Sequence, residues 1–210
     1  MSQDNSPSRF FFIAGQPALD FVNTRPVLNG AVVDLIASVE DFAAWLEAAK
    51  LSDAAMGRRA RGLSGTRAGQ ELLAEAIELR EALREILERH TSGRPSSEPA
   101  LARINELLRR LPQHAQIVRA RRGFEAKMVS EADEARQLLA PIAAAASELL
   151  CERDLTRVKR CNHPACVLFF YDTTKSRTRR WCSMEVCGNR LKAAAHYERQ
   201  RRARRRSSGS

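Results

Sequence analysis

No apolar run in the 210 residues approaches the roughly 18 that a bilayer-spanning helix needs, which excludes a transmembrane protein. The stretch from Met1 to Ser8 lacks the basic start and apolar core of a secretory signal. No cysteine precedes Cys151, and in a chain without a secretory signal the five that follow are expected as reduced thiols. They suit metal or redox chemistry better than a disulfide scaffold. Also missing are a Ser/His/Asp order, a glycine-rich phosphate loop, a metalloprotease helix and any internal repeat, so enzyme activity has no positive support and the expectation is a non-enzyme. What is present is 44% apolar and 29% charged residues, enough of the former to bury a core. The expectation is a basic, globular, cytoplasmic protein.

The net charge of +10 is not spread evenly. Residues 151–210 hold sixteen Lys and Arg against five acids, whereas the first 150 hold 19 against 20. All five cysteines share the basic stretch. The two parts are different kinds of object, and the basic one is a candidate polyanion binder.

The first part reads as mainly helical. Phe10-Phe11-Phe12-Ile13, bounded by Gly15 and Pro17, predicts a buried strand or a segment docked on the core. Pro17 suits the first turn of a helix holding Leu19-Asp20-Phe21-Val22-Asn23-Thr24, and Asn29-Gly30 is a turn signal. Asp34 is placed to cap a helix running to about Lys50, with Ile36, Val39, Phe42, Ala43 and Leu46 on one stripe. Thr66 is placed to cap a longer helix to about His90, and Ser97 precedes a third from Leu101 to Leu111, stopped by Pro112. Ala115 to Val129 lacks helical spacing and centres on Arg122-Gly123, which predicts a β-hairpin. A fourth helix is expected from Glu131 to about Arg153, kinked or broken at Pro141, whose ring removes a backbone donor.

The cysteines carry the chemistry. Cys161, Cys166, Cys182 and Cys187 follow the pattern C-x4-C-x15-C-x4-C, two equal pairs. Tetrahedral zinc needs four ligands of this softness, and two knuckles joined by a short hairpin supply them. One Zn2+ per chain is expected, with no coordination position left for water, hence a structural ion and not a hydrolytic one. The alternatives are buried core thiols, two disulfides, or His163 in place of one cysteine. Between the pairs, apolar residues from Val167 to Tyr171, a turn over Asp172 to Ser176 and a return at Arg179-Arg180-Trp181 predict the hairpin, and Arg190 to Arg202 has helical composition. Knuckle, hairpin, knuckle and helix is the order of a treble-clef-like finger. Cys151 is expected to be a small buried hydrophobe.

Cys187-Gly188-Asn189-Arg190, together with Arg157-Val158-Lys159-Arg160-Cys161, Leu168-Phe169-Phe170-Tyr171-Asp172 and Arg179-Arg180-Trp181-Cys182-Ser183-Met184, resembles the CGNR zinc finger. Upstream, Ala18-Leu19-Asp20-Phe21-Val22-Asn23-Thr24 resembles the opening motif of the ABATE domain that accompanies this finger in bacteria. The resemblance implies a stress-related transcription regulator with a C-terminal DNA-binding finger. The expected organisation is an ABATE-like helical domain over 1–150, a sensor candidate, then the finger over 155–202 and a basic, disordered tail over 203–210. The fold class is mainly α (α+β), with a small β element beside the helices.

Arg177, Arg179, Arg180, Arg190 and Lys192 flank the cysteines, and Lys192, Arg199 and Arg202 share one helix face, so these cations are expected along a phosphate backbone. Asn189 and Arg190 either read base edges or brace the finger through backbone hydrogen bonds. Asp20 and Asn23 are polar residues framed by apolar ones; they are candidate ligand contacts or, on the plainer reading, core hydrogen-bond donors and acceptors. The function expected is a zinc-dependent DNA-binding regulator, cytoplasmic and nucleoid-associated, without membrane contact. The rival is a finger that grips RNA or an acidic protein.

Overall fold

Short polar side chains cap four of the six described α-helices, and proline opens the other two. In the computed structural model, which describes residues 9–111, 113–130 and 135–188, helix α1 (Pro17–Val22) opens with its proline in the first turn. A two-residue turn follows between β1 (Val27–Leu28) and β2 (Ala31–Val32). Asn29 and Gly30 hold it at φ +53° and +84°, the pair of positive values that a tight hairpin turn demands. Helix α2 (Val39–Ala48) begins later than the Asp34 cap predicts. Ser38 caps it, accepting from the Asp41 amide at 3.1 Å while the Asp41 carboxylate accepts from the Ser38 amide. Asp34 is committed elsewhere: its two oxygens take Arg80 at 2.7 and 2.5 Å, and Arg80, only 1% exposed, also donates to Thr24. A buried guanidinium has to be paired, and that need outranks a helix cap.

Helix α3 (Ala54–Gly62) is absent from the sequence expectations; Asp53 caps it through the Met56 amide. Thr66 caps α4 (Arg67–Thr91) as its position predicts, donating to the Leu63 carbonyl and accepting from Gly69 N–H. Gly69 is there of necessity, since a Cβ would sit 2.2 Å from the Leu63 oxygen. Ser97 caps α5 (Glu98–Arg109), which packs on α4. The predicted hairpin is β3 (Gln113–Arg119) against β4 (Phe124–Ser130). The predicted fourth helix is divided: a 3-10 turn over Arg136–Leu139 leads into α6 (Ala140–Cys151), with Pro141 in its first turn, a break and not a kink. Cys151 is exposed, against expectation. Ile142, Ala146 and Leu149 form the buried stripe of α6, and two residues past Leu149 the side chain has turned about 200° away from it.

The core gathers around α4. Phe21, Phe42 and Trp45 meet there, with ring centroids 5.1 Å apart for Phe21 and Trp45 and 6.1 Å for Phe21 and Phe42. Val158 and Phe169 belong to the same core. The change of charge near residue 150 is therefore a boundary of composition, across which packing continues. Among the described residues no helix is long and apolar enough to cross a membrane.

Asp20 and Asn23 both point inward from α1. Asp20 accepts from the amides of Ile13 at 3.0 Å and Ala14 at 2.9 Å, which docks the 10–14 segment, with no strand in it, on the core. Burial pushes its carboxyl up to about 6 despite those two donors. The protonated form is favoured by folding, so this contribution to stability is full below the unfolded value of 3.8 and lost as pH rises through about 6. Asp20→Asn keeps an oxygen for both amides and removes the charge. The wild type is expected to lose about 1–3 kcal/mol relative to the variant between pH 4 and pH 7, read from paired urea titrations. A constant difference across that range would refute it.

Candidate metal centre

The first cysteine pair lies at the end of a small antiparallel ladder. Strand β5 (Val158–Arg160) pairs with β6 (Phe169–Tyr171) in the register Val158↔Tyr171, Lys159↔Phe170 and Arg160↔Phe169. Pairing extends to Cys161 N–H, which donates to the Leu168 carbonyl, and the turn beyond is closed by Cys166 N–H on the His163 carbonyl. This corrects the predicted hairpin: β6 pairs with the strand before the first knuckle, and Arg179-Arg180-Trp181 is not a strand. It crosses the knuckle instead, where Asn162 N–H donates to the Arg180 carbonyl. Of the second pair, Cys182 lies just before a wide helical turn, Met184–Gly188, and Cys187 lies on it.

These two turns bring the Sγ atoms of Cys161, Cys166, Cys182 and Cys187 within 4.8 Å of one another. Cys166 and Cys182 are 3.8 Å apart, and Cys182 and Cys187 3.6 Å. A tetrahedron with metal–sulfur distances of about 2.3 Å has edges of about 3.8 Å, so the donor set fits one zinc ion. The separations are far too long for disulfides, and all five cysteines are free. His163 is not in the cluster; its Nδ1 accepts from the Ala165 amide at 3.1 Å and holds the knuckle in shape.

The protonated cluster is electrostatically awkward. Hydrogen bonds from Cys166 and Cys182 pull the Cys161 thiol down, while the Cys161 contact pushes Cys166 up to about 12 and raises Cys182 as well. Burial raises Cys187. Four sulfurs this close cannot all ionise without a cation between them, and zinc supplies that charge while taking the place of the protons. The Cys182 amide, donating to Cys161 Sγ at 3.4 Å, offsets part of the negative charge.

A second polar centre holds the loop between the pairs. Asp172, fully buried, accepts from Lys159 Nζ at 2.7 Å, from the Thr174 amide and hydroxyl, and from the Arg179 amide. Burial alone would raise its pKa, but these donors outweigh it and hold the carboxyl well below the usual range.

The predicted phosphate contacts divide accordingly. Arg179 turns inward, with its guanidinium 4.4 Å from the centre of the Phe170 ring and its donors on the carbonyls of Ile13, Tyr171, Trp181 and Cys182. It is a strut of the fold, a role that the neighbouring cations conceal in the sequence. Arg177, at φ +53°, reaches Asp154 at 3.3 Å. Arg180 is exposed and rests over Trp181, 5.2 Å from the ring centre. Arg160, which is not among the predicted phosphate contacts, is exposed on β5 with no carboxylate partner among the described residues. Lys159, Arg160, Arg177, Arg179 and Arg180 line an open cleft of roughly 530 Å³ between the finger and the end of α4. Asn189, Arg190, Lys192, Arg199 and Arg202, and the tail over 203–210, lie outside the described residues.

The finger is also tied to the helices. Asn23 exchanges two hydrogen bonds with the Phe169 backbone, Nδ2 to the carbonyl and Oδ1 from the amide, both at 2.8 Å. Tyr171 N–H donates to Ala14 at 2.8 Å, and the His90 ring meets the Leu155 carbonyl.

Residues 15–153 match the model of the ABATE family, described as “Putative stress-induced transcription regulator”, and residues 157–200 match the CGNR zinc finger. No curated protein matches the chain.

Proposed function

Since the chain belongs to the ABATE family and carries a CGNR zinc finger after that domain, we propose that it is a zinc-dependent regulator that binds duplex DNA through the finger. The observation that carries this reading is the cationic cleft beside the metal centre. Arg160 and Arg180 stand exposed in it without carboxylate partners among the described residues, and Arg177 shares only a surface carboxylate. Lys159 and Arg179 are spent on Asp172 and on backbone carbonyls, so they set the shape of the cleft and leave contact to the others. Exposed guanidiniums suit phosphate oxygens, which they bind at two points.

Zinc has a supporting part. It fixes the two knuckles, and through them the Asn162–Arg180 backbone bond that positions Arg180. In the proposed arrangement Asn189 and Arg190, which follow the last cysteine, read a base edge or brace that turn, and Lys192, Arg199 and Arg202 extend the phosphate contacts.

The test is binding of the full zinc-loaded chain to duplex DNA across a salt series. Changing Arg160 and Arg180 together to Ala should weaken binding to every duplex and flatten the slope of log affinity against log salt by about two units. Absence of duplex binding by the intact chain at low salt would overturn the reading. Displacement of DNA by RNA at lower concentration than by competing duplex would put the RNA-binding rival in its place.

A further inference from the structure

The β3–β4 hairpin is the longest of the two-stranded ladders among the described residues. Its two strands bond to each other along their whole length, from Gln113↔Ser130 to Arg119↔Phe124, and among the described residues no third strand joins them. Lys127, Met128 and Val129 line a cleft together with residues of α3 and α6. The strand register sorts its side chains. Ala115, Ile117 and Arg119 share one face with Phe124, Ala126 and Met128. That face is apolar yet open to solvent: Ile117 is 76% exposed, Phe124 73% and Met128 59%. A two-stranded hairpin is at best marginally stable alone in water, so an uncovered apolar face implies something that covers it.

Charge says what. The turn is closed by Ala120 N–H on the Gly123 carbonyl, with Gly123 at φ +82°. Around it Arg119, Arg121 and Arg122 are exposed, and none has a carboxylate partner among the described residues. Over 113–130 four cations stand against the single carboxylate of Glu125, although the first 150 residues as a whole carry one more acid than base. A second copy of the arm would bring four more cations and one carboxylate, too few to neutralise them. A polyanion matches both features, since minor-groove binders combine arginines in the groove with an apolar side chain pressed against the sugar and base edges.

We propose that the β3–β4 hairpin is a second DNA-contacting element, an arm that lays Arg119, Arg121 and Arg122 along the minor groove of duplex DNA with Phe124 against its wall. This rests on the finger's being a duplex binder. It extends that reading to the helical domain, which would then hold the same DNA at a separate place.

The experiment uses the full zinc-loaded chain and a mixed-sequence duplex containing an A·T tract. Arg119→Ala, Arg121→Ala and Arg122→Ala combined should reduce the salt slope by about three units and lower affinity about 100-fold near physiological salt. Restoring the charge with three lysines should recover the slope but not a preference for the narrow groove of the A·T tract. A photoreactive benzophenone side chain at position 124 should cross-link to DNA. If the alanine variant binds with unchanged slope while the Arg160/Arg180 variant is weakened, the arm proposal is overturned and the finger reading stands. If the wild type binds no duplex, both fall. A cross-link from position 124 to a second protein chain also overturns the arm proposal, in favour of a dimer surface.

Discussion

Removal of zinc by a strong chelator is expected to unfold residues 158–188 and to loosen residues 10–24 with them. Small zinc modules owe their folding to the metal, by on the order of 10 kcal/mol at neutral pH. Here the loss does not stop at the finger. Phe169 is fully buried in the main core, its amide and carbonyl are held by Asn23, and the carbonyls of Ile13 and Ala14 accept from Arg179 and Tyr171. Once the knuckles open, β6 loses the metal ligands at its end that help fix its register, and the 10–14 segment loses the Tyr171 amide and the Arg179 guanidinium that its carbonyls accept from. Amide hydrogen exchange after chelation should therefore show lost protection in both regions, with the centre of α4 still protected. Cys182→Ser, which removes the most deeply buried ligand, should reproduce the pattern. Elemental analysis without zinc, or exchange confined to 158–188, would contradict it.

The coupling also shows what sequence can and cannot carry. Features fixed by neighbours along the chain were legible: Thr66 and Ser97 as caps, the Asn29-Gly30 turn, the hairpin about Arg122-Gly123, and the cysteine spacing that places four sulfurs around one point. Features fixed across the chain were not. Asp34 reads as a cap until Arg80, 46 residues away, takes both its oxygens. The apolar run after Cys166 predicts a strand, but nothing local says whether it pairs forward with Arg179-Arg180-Trp181 or back with β5. Arg179 looks like any other cation in a basic stretch, and only the packing of Phe170 beneath it marks it as internal. Helix α3 was hidden by its own composition, since Gly57 and Gly62 and a run of arginines give it no apolar stripe of ordinary width.

Asn23 illustrates the same limit from the functional side, and it carries a large expected effect. Framed by Val22 and Thr24 just past the end of α1, it reads from sequence as either a ligand contact or a core hydrogen bond. The structure spends both ends of its amide on one residue, 146 positions later, at 2.8 Å each. It is 1% exposed, so no water stands ready to replace either bond. Asn23→Ala leaves the Phe169 amide and carbonyl buried and unpaired, at about 1–3 kcal/mol for each, hence a destabilisation of about 2–6 kcal/mol. Asn23→Asp keeps the acceptor for the amide but sets an oxygen against the Phe169 carbonyl, so it should not rescue the loss. Because β6 leads directly out of the first knuckle, the packed hairpin and the metal site are linked, and weakening one weakens the other. Urea unfolding of the zinc-loaded protein should shift by that amount, and competition with a chromophoric chelator should report weaker zinc binding in the same variant. A variant that unfolds earlier yet binds zinc as tightly as the wild type would show that Asn23 braces the helices alone, and that the finger is an independent module sharing their surface.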